Sequence, residues 1–394
     1  MLLTLVAFVL ILSILIFVHE FGHFIVAKKT GIKVEEFGFG YPPRIWGKKI
    51  GETIYSINAL PVGGFVKLLG EELGEEIDEK EKGRTFYSKS KKVRVVTLLA
   101  GVTMNFVLAV AVFSIIYTQI GIPTKTDKVM VVGIAENSPA DVAGLKENDI
   151  IIAANGKNVT DNDSFIQITK EKAGQKLVLE VKRDKDNPCQ QKVLGGVPGM
   201  EISCRDGNLI VTVFPRENPP VGEGPLGVAI SQMEMKFYPF WQMPIRGSIE
   251  GFKEAFAWTR LILKSLVEMI VQLVTLGKIP QDVAGPIGIF QVTSGVVKSG
   301  YLTVLQFLGM LSINLAIINV LPFPALDGGR LIFIGYEAIT RRRPKPSFER
   351  TINTAGMVFL IFLILLITIN DILRVIKTSG FINQLSRLRD LLPL

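Results

Sequence analysis

The sequence predicts a polytopic α-helical membrane protein with four transmembrane helices. Three observations carry this. Four long apolar runs divide the chain, clusters of Lys and Arg flank them, and the first run contains ionisable residues that packing alone does not need. Of the 394 residues, 48% are hydrophobic before glycine is counted, which is high for a soluble chain. The net charge is +8. A nucleic-acid binder would gather that excess into a patch or a tail. Here Lys28-Lys29, Lys89 to Arg94 and Arg341 to Lys345 sit beside apolar runs, as membrane flanks do, so no nucleic-acid partner is expected. Cys189 and Cys204 are the two cysteines and form no C-x-x-C pair, which argues against a thiolate metal site. They form either one disulfide in an oxidising compartment or two separate thiols.

Leu2 to Val26 is long enough to cross a bilayer, which takes roughly 20 helical residues. A signal peptide would place its positive charge first and carry a shorter apolar core; here the charge follows the run. Val95 to Ile122, Tyr301 to Leu321 and Ala355 to Ile369 with its flanks are the other three spans. Residues 28–94 form a polar segment with strand-like pieces at Glu52 to Leu60 and Gly64 to Leu69, and an acid-rich loop from Glu71 to Lys82. Residues 124–235 form a small mixed α/β domain. Its strands are expected at Val129 to Ile134, Asp149 to Ala154 and Leu177 to Arg183, and its helices at Ser138 to Gly144 and Ser164 to Lys172. Asp184 to Pro225 reads as an irregular insertion with one strand, Leu209 to Phe214. Residues 236–300 hold a Gly-Pro loop and a helix, Ser248 to Leu276, whose Arg260, Lys264, Glu268 and Gln272 make one polar stripe. That helix lies on the membrane surface or packs against the spans, a fifth crossing being the weaker reading. Residues 301–330 contain the third span, and 331–394 a basic loop, the fourth span and a tail. The basic flanks put both termini and the α/β domain outside the cytoplasm.

His19-Glu20-Phe21-Gly22-His23 is an H-E-x-x-H pattern and contains both histidines of the protein. On a helix, positions i and i+4 share a face, so both imidazoles reach one ion. Glu20 can address a water bound to it. Zinc suits two imidazoles with an open position, and ionisable residues within an apolar span are costly and usually functional. The remaining ligand should be a carboxylate. Asp327 is the candidate, because it follows a Pro- and Gly-broken helix end, Pro322 to Gly329, on a span that runs in the same direction as the first.

These motifs resemble the site-2 protease family in its bacterial RseP-type branch. Asn319-Val320-Leu321-Pro322-Phe323-Pro324-Ala325-Leu326-Asp327-Gly328 is similar to that family's N-x-x-P-x-P-x-L-D-G, and Gly38-Phe39-Gly40, Pro61 to Val66 and Gly285-Pro286-Ile287-Gly288 are further echoes. The resemblance implies one zinc per chain, with Glu20 as general base. It implies that the α/β domain is a single PDZ-like domain outside the cytoplasm, marked by Gly144-Leu145 and Asp149-Ile150-Ile151. It also implies a membrane-associated β-element near Glu52 to Leu69, whose edge, including Gly64 and Phe65, pairs with an unwound substrate, with the Gly285-Pro286 loop in the same groove. Asn319 either holds the substrate backbone or oxyanion or serves as a helix-packing amide. Expected substrates are single-span membrane proteins, such as anti-sigma factors or remnant signal peptides, in the bacterial cytoplasmic membrane. Ala100-Gly101-Val102 stands where the family often has A-G-P, a departure expected to carry little weight. An inactive scaffold would have no need of Glu20, and a metal transporter would spread its ligands along several spans. Both are weaker readings than an intramembrane zinc endopeptidase.

Overall fold

The computed structural model describes residues 1–71, 77–183, 202–205, 207–276 and 285–378. Cys189, part of the acid-rich loop, much of the irregular insertion and the C-terminal tail lie outside them. The chain begins with α1 (Leu2–Lys29), β1 (Val34–Ile50), β2 (Thr53–Leu68) and α2 (Lys91–Ile120). It continues through β3 (Ile122–Ile134), α3 (Pro139–Val142), β4 (Ile150–Ala154), β5 (Lys157–Asn158), α4 (Asn162–Glu171), β6 (Leu177–Lys182), β7 (Ile202–Arg205), β8 (Asn208–Val213) and β9 (Val228–Lys236). It ends with α5 (Met243–Leu276), α6 (Pro286–Lys298), α7 (Tyr301–Val320), α8 (Asp327–Thr340) and α9 (Pro346–Thr378). Two compact units result: residues 120–239 form one, and the flanking segments together form the other.

Among the described residues, four helices of the flanking unit, α1, α2, α7 and α9, are long and apolar enough to cross a membrane. α1 stops at Lys28-Lys29, cations that complement its carboxyl end, followed by Gly31 at φ +71°. α7 stops because Pro322 and Pro324 cannot donate backbone hydrogen bonds. A tight turn follows, with Ala325 at φ +71°, and α8 starts at once. A Cβ on Gly328 would lie 2.1 Å from the Leu321 carbonyl oxygen, and one on Gly329 would lie 2.3 Å from that of Phe323. The Gly-Gly pair is therefore what lets the first turn of α8 fold back on the end of α7. The Pro and Gly composition predicts a turn here and a basic loop from residue 331; α8 is instead a full helix.

β1 was not anticipated. Its residues 36–39 pair with residues 54–57 on one side and with 64–67 on the other. β1 and β2 thus fold over each other, and residues 64–68 become a sheet edge. Phe37 seats this element on α1, with ring centroids 5.3 Å from Phe17 and 4.7 Å from Phe24. The Ser13 hydroxyl donates to the Pro61 carbonyl at 2.8 Å. α5 packs on α2 through Gly247 and Gly251, four residues apart, where Cβ atoms would lie 2.5 Å from Thr118 Oγ1 and Ser114 N. This is the small-residue contact of membrane helices, and of the two readings of this helix it favours packing against the spans. α6 was not anticipated either.

The central unit is a seven-stranded sheet in the order β7-β8-β6-β4-β3-β9, with β5 on β4. Leu177, Leu179 and Val181 on β6 and Leu209, Val211 and Val213 on β8 are all buried with period two, and Phe165 of α4 joins the same core. Asn155 and Gly156, both at positive φ, make the tight turn between β4 and β5. Ser138 caps α3 by accepting from Asp141 N–H. Arg183 forks onto the fully buried Asp149 at 2.6 and 2.7 Å. β7 and β9 extend the sheet beyond the strands expected, and Cys204 on β7 is in a disulfide.

One ion pair ties the flanking unit at its basic end. Arg94 of α2, 2% exposed, donates to Glu337 of α8 at 2.6 Å, and Lys91 Nζ donates to the Glu337 carbonyl at 2.9 Å. Glu337→Ala strands a buried guanidinium, so it should destabilise the protein by about 3–5 kcal/mol, whereas an Arg94→Met/Glu337→Leu double variant should recover most of the loss. Thermal unfolding in detergent reads both, and an unchanged midpoint in Glu337→Ala would contradict the assignment.

Candidate metal centre

His19 and His23 lie one turn apart on α1, both 6% exposed. Asp327 opens α8, where the positive end of the helix dipole favours a carboxylate. The three residues converge. His19 Nε2 is 3.0 Å from Asp327 Oδ2, His23 Nε2 is 3.3 Å from the same oxygen, and the two Nε2 atoms are 3.1 Å apart. Bonds of roughly 2 Å in a tetrahedral array put zinc ligands about 3.3 Å from one another, so the spacing fits one ion. The chemistry of the donor set also fits. Three lone-pair atoms face a common point in a buried place, an arrangement that repels unless a cation or a proton sits among them.

α2 completes the site with a stripe the sequence reading missed. Thr97, Gly101 and Asn105 are spaced by four and share one face of the helix. The Thr97 carbonyl lies 2.7 Å from His23 Nδ1. It can only accept, so Nδ1 carries the proton and Nε2 is left as a ligand. A Cβ on Gly101 would lie 2.4 Å from His23 Nε2 and 2.8 Å from His19 Nε2, and a Cβ on Gly22 would lie 2.4 Å from the Ala100 carbonyl. The two helices touch backbone to backbone, and the imidazoles fill the space beside Gly101. Gly101 is the residue of the Ala100-Gly101-Val102 segment on which this approach depends. The signal that could have found it is the small-residue pair itself, Gly22 and Gly101, on two apolar helices.

Glu20 sits on the opposite wall. Its Oε2 accepts from Val66 N–H on the β2 edge at 3.1 Å. A cavity of about 530 Å³ is lined by Glu20, His23, Asp327, Tyr41, Arg330 and residues 65–68 of β2. The Leu68 N–H on the same edge faces Glu71 Oε2 at 3.4 Å, and Glu71 is ion-paired with Arg330. Of the residues expected to hold substrate, Phe65 lines this cavity and Gly64 precedes it on the same edge, packed on the Gly38 carbonyl. Asn319 is half-buried on α7 and is not among the cavity-lining residues. Gly285 and Pro286 are placed elsewhere, at the start of α6, where a Gly285 Cβ would meet Ile367 and Asp371 of α9. Gly288 N–H there donates to Asp371 at 2.8 Å.

Four candidate membrane helices with two histidines and an aspartate at one point are the arrangement of a membrane metalloprotein. Comparison with known proteins agrees. The model of peptidase family M50 matches residues 7–363. A Clostridium perfringens chain with a provisional zinc metalloprotease name is 34% identical over 92% of this chain and 96% of its own length. The zinc metalloproteases RasP of Oceanobacillus iheyensis and Geobacillus kaustophilus are 28% and 29% identical, each over 94% of this chain and over 99% and 97% of their own lengths. The chain belongs to peptidase family M50, the site-2 protease family, and is a zinc metallopeptidase.

Gly101→Ala puts a methyl group into the space of two imidazole nitrogens. It should lower bound zinc by about tenfold or more and lower the thermal unfolding midpoint with it. Elemental analysis of the purified protein checks this, and native zinc content in that variant would contradict the close approach.

Proposed function

We propose that this chain is an intramembrane zinc endopeptidase that cuts single-span membrane proteins near the cytoplasmic face. The observation that carries the reading is the position of Glu20: one residue from a three-donor metal cluster, on a helix able to cross a membrane, at the wall of a cavity that runs along the edge of β2. One zinc held by His19, His23 and Asp327 would supply a Lewis acid and a water acidic enough to attack near neutral pH. Glu20 takes a proton from the attacking water and hands it to the leaving amide nitrogen. Val66 N–H holds Oε2 and leaves Oε1 to carry that proton.

A transmembrane substrate has its peptide groups hydrogen-bonded within its own helix, so it must be extended before attack. The edge of β2 offers the alternative partner. Its Val66 and Leu68 N–H groups face the cavity side, where they meet only carboxylates, and an extended substrate strand would take them by β-addition. The apolar wall of Phe65 and Leu98 suits a substrate leaving lipid.

The basic ends Lys28-Lys29, Lys89 to Arg94 and Arg341 to Lys345 favour a cytoplasmic location for the metal-bearing ends of the spans. The same rule gives an extracytoplasmic location for the central unit, in the cytoplasmic membrane of a bacterium. That unit is the PDZ-like domain of this reading and filters substrates by size or binds a trimmed end. Remnant signal peptides and anti-sigma factors are the expected substrate classes.

Glu20→Gln should slow cleavage of a model transmembrane substrate by about 10²- to 10⁴-fold with zinc content unchanged. In cells it should accumulate single-span fragments, which membrane proteomics detects. Normal cleavage by that variant would refute the assigned base. Chelation should abolish cleavage by the native chain, and added zinc should restore it; a cleavage rate that ignores the chelator would remove the metal from the reaction.

A further inference from the structure

Both histidines turn Nε2 toward the metal point, so each ring must carry its proton on Nδ1. His23 meets the requirement through the Thr97 carbonyl. His19 Nδ1 faces Asn105, with the amide Nδ2 at 3.3 Å. Two donors then meet, while Oδ1 of the same amide is buried with no partner. A half-turn about the Asn105 Cβ–Cγ bond exchanges nitrogen and oxygen in nearly the same shape. It turns the facing donors into a donor and an acceptor, and it gives the stranded oxygen a hydrogen.

We propose that Asn105 is a positioning residue of the metal centre: its Oδ1 accepts from His19 Nδ1–H and fixes the tautomer that presents Nε2 to zinc. The inference rests on ligation by His19, His23 and Asp327. Three further observations support it. Asn105 is 0% exposed within a helix able to cross a membrane, where an amide without a polar task is costly. Its backbone carbonyl accepts from Ser312 Oγ of α7 at 2.8 Å, so the contact with α7 there is made without the amide side chain. It also lies two turns from Thr97 on the same face of α2, with Gly101 between them. One helix thus supplies the acceptors for both rings, a carbonyl to His23 and an amide to His19, and makes room for them in between. Outer partners of this kind orient ligands and raise their basicity.

The test is zinc affinity of the full chain in detergent, measured by competition with a chelator. Asn105→Leu keeps the volume and removes the acceptor; it is expected to weaken zinc binding by about 10- to 100-fold. Asn105→Asp restores an acceptor and is expected to return most of that affinity. Ser312→Ala loosens the same residue's backbone contact without touching its side chain and is expected to bind zinc normally. Native affinity in Asn105→Leu overturns the proposal. So does an equal loss in Ser312→Ala, which marks a packing effect, or a folded Asn105→Asp as weak as the Leu variant. Should the Asp variant fail to fold, the comparison of Asn105→Leu with Ser312→Ala decides. His19→Ala separates this from the reading beneath it: native zinc affinity in that variant means the ligand set is wrong, whatever Asn105 does.

Discussion

The close crossing of α1 and α2 is the constraint on which the rest depends. Gly22 meets the Ala100 carbonyl, and Gly101 meets the edges of two imidazoles, at distances no side chain could tolerate. Such contact buries most of both histidines, each 6% exposed, while His23 still lines the cavity. It also brings the α2 backbone within hydrogen-bond reach of His23. In lipid there is no hydrophobic drive between helices, so small residues that let backbones touch supply the attraction. The same contact that joins the helices is therefore the wall of the metal site. Stability and chemistry are not separable at this point in the fold.

The second requirement is an acid delivered from far along the chain. Asp327 lies 308 residues from His19, and the break between α7 and α8 brings it in. Two prolines end α7, and the Gly328-Gly329 pair lets α8 fold back against the last carbonyls. Gly356 of α9 seats on Pro324, where a Cβ would lie 2.4 Å from the proline ring. Irregular backbone at this depth persists where protein surrounds it, and α9 is part of that surround. The ion pair of Arg94 with Glu337 then anchors α8 to α2. α2 thus holds both the histidine pair and the helix that carries the aspartate.

Much of this site was legible in the sequence. His19, Glu20 and His23 announce themselves because i and i+4 spacing, apolar surroundings and the scarcity of histidine coincide. Asp327 was legible from a broken helix end on a parallel-running span. Four spans could be counted because apolar length is a local property. Other features were hidden for physical reasons. β1 pairs on both sides with pieces of β2, and pairing at that range leaves no period in the strand itself. α8 follows a Pro- and Gly-rich turn whose composition argued for loop. Thr97 contributes through its backbone, Gly101 through the absence of a side chain, and Asn105 as one polar residue in an apolar helix. Their spacing by four has no evident meaning until α1 is laid against α2. Gly285, singled out with Pro286 by resemblance, packs at the start of α6 against Ile367 and Asp371 of α9.

X-ray absorption at the zinc edge of the purified native chain tests the central arrangement most directly. If His19, His23 and Asp327 hold the ion, the spectrum contains two imidazole rings and oxygen donors at about 2.0–2.1 Å in four-coordinate geometry, with no sulfur scatterer. Loss of a ring in His19→Ala and in His23→Ala completes that result. A sulfur shell, a six-oxygen shell, or imidazole scattering that survives both substitutions would contradict the assigned site.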